Sequence, residues 1–165
     1  MATQQHAPQT LNSPPAVPAA VKTASALWLT AVGAGAFEAA LAVTGALVSG
    51  SASFADLAGG LGFRLAVFAV AIFMAVRLRQ GRGWARIALA LSLGIFGTIS
   101  LVIEPIRWLL DGNSLGQAVA EADAMSFVFA GSRIVHLVAV LGAMAMMFAP
   151  AANDYFRGTP RLPRA

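Results

Sequence analysis

Six ionisable side chains stand within otherwise apolar stretches of this 165-residue sequence: Glu38, Arg64, Glu104, Arg107, Arg133 and His136. A charge at the centre of a bilayer-spanning helix costs roughly 2.5–3.5 kcal/mol on insertion scales, so it persists where it is paired or used. Two chemistries fit this set. Glutamates and arginines can neutralise one another while the arginine stems reach for the interface, which is a structural arrangement. Alternatively the arginines bind a carboxylate or phosphate, with His136 and Glu38 carrying protons. Pairing alone satisfies the physics, so the structural reading stands first.

Spacing suggests that the six belong together. At about 1.5 Å of rise per residue, Arg64 lies one turn into its apolar run, Glu104 one turn from the end of its own, and Arg133 roughly 12–14 Å into the last. Glu38 sits near mid-helix, and His136 is a turn beyond Arg133. Small residues share their faces: Ala31, Gly35, Glu38, Ala42 and Gly45; Gly97, Ser100, Glu104 and Arg107; Arg133, His136, Ala139 and Ala143. Such faces allow close helix approach and point inward. Pro105 removes a backbone donor after Glu104, and the sequence predicts a kink or a helix end there.

Other chemistry is not encoded. There is no cysteine, so thiolate metal sites and disulfides are excluded. His136 has no partner at metal-ligand spacing, and no metal or other cofactor is expected. Gly59, Gly60 and Gly62 follow no strand, which removes a dinucleotide fingerprint. Met144, Met146 and Met147 read as packing surface. No catalytic set is visible, and the expectation is a non-enzyme.

The elements that must position these residues are long and apolar. The chain is 58% hydrophobic and 11% charged, with a mean hydropathy of +0.74; soluble domains carry roughly 25% charged residues. Four runs are long enough to span a bilayer: about 24–48, 59–79, 84–110 and 124–149. The first exceeds a signal-peptide core, so an uncleaved helix is expected. The fold class is therefore all-α, a four-transmembrane-helix bundle. Residues 1–22, rich in Pro, Gln and Ala and containing His6, read as a disordered tail, and 150–165 as a C-terminal tail.

Charge distribution sets orientation. The net charge of +4 marks no nucleic-acid binder, because the basic residues cluster at the ends of apolar runs. Arg77, Arg79, Arg82 and Arg86 occupy one short connection, and Arg157, Arg161 and Arg164 the C-terminal tail. Asp56 is the one charge in the first connection, and the third carries Asp111, Glu121 and Asp123 without a basic residue. The positive-inside rule puts both termini in the cytoplasm of a plasma membrane. Trp28, Trp84, Arg86, Trp108, Tyr155 and Phe156 fall where interfacial anchors belong.

Two segments resemble known proteins. RLRQGRGWARIAL and FAPAANDYFRG, through Arg79, Gly83, Trp84, Ala85, Arg86, Asn153, Tyr155 and Phe156, are similar to the Arg-Gly-x-x-Trp-Ala-Arg-like loop and Asn-x-Tyr-Phe segment of small four-helix membrane proteins of actinobacteria. The Ala-, Gly- and Arg-rich composition also suggests a high-GC bacterium. The resemblance implies a four-helix fold and no particular activity. The expected partner is the lipid bilayer, with a homo-oligomer or other membrane proteins on the small-residue faces. The leading expectation is a non-enzymatic structural or accessory membrane component. The alternative is a small transporter or proton-coupled permease using the charge cluster.

Overall fold

A computed structural model describes residues 16–158, and all their regular structure is helical. The tail to residue 15, with His6, lies outside the described residues, as do Arg161 and Arg164. Four helices are long and apolar enough to cross a membrane: α1 (Ala19–Val48), α2 (Phe54–Arg79), α3 (Gly83–Leu110) and α5 (Ala124–Met147). Two short helices flank the last, α4 (Leu115–Glu121) and α6 (Pro150–Gly158). The chain is a four-helix bundle with the character of a multi-pass membrane protein.

Local chemistry moves several expected boundaries. α1 begins at Ala19, directly after Pro18, because AAVKTA continues the helix where an apolar run alone would not. α2 begins at Phe54 rather than near Gly59. Ser53 Oγ accepts from the Asp56 N–H at 3.3 Å, while Ser53 N donates to Asp56 Oδ2 at 2.9 Å. This reciprocal capping box satisfies two donors and adds more than a turn. The expected C-terminal tail contains α6, which has Pro150 as its first residue, a position where the missing N–H costs nothing. The acidic connection likewise holds α4, capped by Ser114.

α3 departs most from expectation. It runs unbroken past Pro105 to Leu110, so that proline is not a helix end. The distortion lies earlier, where Ala90–Gly97 is wound as a π-helix. Each such turn carries extra residues and displaces the faces beyond it.

α1 packs mainly on α5 and α2. Ser25 Oγ, near the start of α1, donates to the Ala75 carbonyl near the end of α2 at 3.2 Å. Ser132 Oγ on α5 reaches the Ala34 carbonyl at 3.4 Å. Lipid is as apolar as leucine, so close approach rather than water exclusion must hold such helices together. Gly94 of α3 provides it: a Cβ there would lie 2.5 Å from Met144 Sδ on α5.

The tight packing is confined to one end. Val21, Ala24, Trp28, Leu78, Leu89 and Met147 are buried where the termini and the Arg-rich turn meet. Toward the acidic connections, α1 buries nothing after Ala39, α2 nothing before Ala71, and α5 nothing before Ala139. The Thr98–Leu110 part of α3 buries no residue at all. The bundle is closed at its Arg-rich end and splayed at its acidic end.

Candidate functional site

Two adjoining open hollows run from the splayed half down to the packed end, as two lobes of one cavity. An apolar lobe of about 350 Å³ draws on all four long helices, including Trp28, Val67, Phe68, Leu93 and Val140. A second lobe of about 250 Å³ is charged, lined by Glu38, Arg64, Arg133 and His136 with Ala42 and Phe129. Arg64, Phe68, Leu101 and His136 line both lobes. Gly35 admits Phe68 and His136, since a Cβ there would come within 3.2 Å of the phenyl ring and 3.5 Å of the imidazole.

The six intramembrane residues divide into two groups. Glu38 Oε2 lies 3.7 Å from Arg133 Nε, with Glu38 16% and Arg133 51% exposed. That separation is an ion pair without a short hydrogen bond. Glu38 Oε1 and His136 Nδ1 are buried and have no hydrogen-bond partner among the described residues. Arg64 lines both lobes and makes no ion pair among the described residues. With two arginines against one glutamate, the charged lobe is formally cationic.

Glu104 and Arg107 stand apart. They pair with each other across one helical turn at 3.7 Å and are 76% and 67% exposed. Gly97 and Ser100 of their stripe do line the apolar lobe. The Thr98–Leu110 part of α3 buries no residue and follows a π-wound stretch, so a shared helix face no longer implies a shared cavity. The expectation of one six-residue cluster is corrected to a four-residue lobe and a separate surface pair.

The expected anchors also divide. Trp84 is exposed, with its ring 6.3 Å from Phe73. Trp108 is partly exposed, and its carbonyl accepts a bond from Asn113 at 2.8 Å. Trp28 is no surface anchor: it is 1% exposed within the core, and its Nε1–H has no acceptor among the described residues. α1 starts more than a turn earlier than expected, which carries Trp28 into the packed end.

The two segments that suggested a resemblance meet in space. Arg86 Nη2 donates to Asn153 Oδ1 at 2.5 Å, and the guanidinium lies 4.1 Å from the Phe148 ring centroid and 5.3 Å from that of Phe156. Tyr155 donates to the Arg79 carbonyl at 3.1 Å. Arg86, Tyr155 and Phe156 therefore fasten α6 across the closed end, where lipid-facing anchors were expected. The residue types hinted at interaction, but only the turn of the chain at Pro150 reveals the partner.

No protein-family model, curated protein or solved structure matches the chain. No cluster of three metal-ligating side chains occurs among the described residues. The site offers one unpaired guanidinium, one ion pair, one imidazole and an adjoining apolar space. Those groups suit the binding of an anion and the carriage of a proton better than bond making.

Proposed function

We propose that this chain is a small, non-enzymatic permease of a bacterial plasma membrane, open to the outside, with a charged lobe that receives an anionic solute. One observation carries the reading: among the described residues Arg64 stands without an ion pair, in a cavity packed shut at the Arg-rich end and splayed at the other. The positive-inside rule supports a cytoplasmic location for the sealed end, with both termini inside. Glu38 and His136 lie beside the arginines and supply groups able to take up and release protons.

The structural-subunit reading was motivated by small-residue faces in search of neighbours. Ala31, Ala139 and Ala143 are already buried within the bundle. These three pack within the chain itself, while Ala42, Gly45 and Ser100 of the same faces stay exposed.

The absence of native cysteine makes single-cysteine variants clean reporters. Ala42→Cys, in the charged lobe, should react with an impermeant maleimide on intact cells, whereas Ala143→Cys, in the core, should not. Ala71→Cys, at the cavity floor, should react slowly in inverted vesicles and faster when Arg86→Gln loosens the sealed end. Failure of Ala42→Cys to react removes the outward opening. Failure of Ala71→Cys in both backgrounds reduces the permease to a closed binding pit. Reporter fusions should place Gln80 inside and Ser53 and Asn113 outside; an external Gln80 overturns the orientation.

A further inference from the structure

Resting on the permease reading, we infer that the cavity takes an amphiphile with a single anionic headgroup and an apolar body, the head on Arg64 and Arg133 and the body in the lobe lined by Val67, Phe68, Leu93 and Val140. Charge sets the head. Arg64 and Arg133 face one carboxylate, Glu38, leaving one positive charge to be matched. Guanidinium groups hold carboxylates and phosphates through planar paired donors. Arg133 is already committed in part to Glu38 at 3.7 Å, so Arg64 is the main contact.

Shape and polarity set the body. The apolar lobe adjoins the charged lobe, and Arg64, Phe68, Leu101 and His136 line both. Its volume of about 350 Å³ corresponds to on the order of ten water-sized volumes, at roughly 30 Å³ each. An alkyl chain of comparable carbon count fills that space, whereas acetate or inorganic phosphate leaves it empty. Each methylene moved from water adds about 0.8 kcal/mol, so affinity for the aqueous amphiphile rises with chain length. At the buried end, Trp28 lines the lobe with its indole N–H unpartnered, a donor for any polar atom carried deep on the ligand.

Trp28 also provides the assay. With Trp84→Phe and Trp108→Phe, it is the sole tryptophan, and a bromine carried into the lobe quenches its emission. The full-length protein in zwitterionic nanodiscs is titrated with 11-bromoundecanoate, 11-bromoundecanol and acetate. Saturable quenching by the bromocarboxylate, reversed by plain undecanoate and much weaker with the alcohol, is expected. Arg64→Gln should weaken it about tenfold, the scale of a lost charge-assisted hydrogen bond, and Arg64→Lys should recover part of the loss. An unchanged Trp28 emission maximum in these variants verifies folding.

Equal quenching by acid and alcohol, or no effect of Arg64→Gln, overturns the headgroup assignment. A parallel arm uses phosphatidylglycerol brominated on its acyl chain. Arg64-dependent quenching there identifies a bilayer lipid as the source of the anion, and quenching by bromoundecanoate alone identifies a free amphiphile. If neither probe quenches while Ala42→Cys still labels from outside, the ligand class falls and the outward-open cavity stands. If labelling fails as well, both fall.

Discussion

The two ends of this bundle are built from the same kinds of residue and yet solve different problems. At the Arg-rich end, alanine, glycine and a few large side chains interlock: Leu78, Leu89 and Met147 are buried among Ala24, Ala75 and Ala143. At the acidic end the helices carry comparable apolar residues, but they face outward, and charge lines the space between them. Hydrophobicity alone does not separate the ends, because lipid accepts an apolar side chain as readily as a core does. What separates them is how closely the backbones approach. Gly94 under Met144 and the Arg86 clasp on α6 draw one end together, whereas the π-wound stretch of α3 precedes the loss of contact at the other.

The contrast is tested most sharply by one deletion at each end. Leu89→Ala removes a buried side chain from the closed end. It should lower stability by on the order of 2 kcal/mol, the packing share of a core truncation without most of the water-transfer term. Leu110→Ala, at a position 80% exposed, should change stability by less than about 0.5 kcal/mol. Reversible unfolding in mixed micelles measures both. Equal losses would mean that the ends are packed alike.

The clasp comes next. Arg86→Gln removes the contacts with the Phe148 and Phe156 rings and weakens the bond to Asn153. A loss of about 1–2 kcal/mol is expected from a partly desolvated cation–π site and a charge-assisted bond. Its local signature is more informative: limited proteolysis should cut near Arg157 in the variant before the parent. Unchanged proteolysis would show that α6 is held by something other than Arg86.

At the open end the two ion pairs make a controlled comparison. Glu104→Gln breaks a pair exposed on both sides and should shift stability by less than about 0.5 kcal/mol, with no effect on anion binding. Glu38→Gln also costs little stability, because Arg133 is half-exposed and can turn toward the interface. It should, however, release Arg133 and raise the affinity for bromoundecanoate by about three- to tenfold. Equal binding by the two variants would sever Glu38 from the site.

The sequence carried this much of the design for identifiable reasons. Length and apolarity alone suffice to find a spanning helix, so all four were legible. Depth groups Glu38, Arg64, Arg133 and His136, and small-residue faces add to that for Glu38, Arg133 and His136 but not for Arg64. Glu104 and Arg107 broke that reasoning, since face periodicity assumes straight neighbouring helices and α3 is neither regular nor buried along its far part. Trp28 looked interfacial because aromatic belts are read from position along a helix, which does not reveal whether a ring faces lipid or core. The contact of Arg86 with Asn153 spans 67 positions and no local rule could find it. Ser53 and Asp56, by contrast, spell a capping box that an apolar-run reading passes over.

The smallest expected effect concerns the start of α5, the helix that carries Arg133 and His136. Asp123 caps it, accepting from the Ser126 N–H at 2.8 Å and from the Ser126 hydroxyl at 2.7 Å. The Ser126 hydroxyl first, and the Ser126 backbone second, hold the Asp123 carboxyl below its ordinary 3.8. A folded value below the unfolded one means that the cap stabilises the helix above the unfolded value and is lost as pH falls through the folded value. The Ser126 amide resonance should therefore titrate with a midpoint under 3.8. In Asp123→Asn the cap survives without a titrating group, so the same resonance should hold still across that range. A midpoint at or above the ordinary value would mean that the cap is not formed in solution. The open end would then be loose in its backbone as well as in its packing, and Arg133 would lose the fixed helix start that sets its place in the cavity.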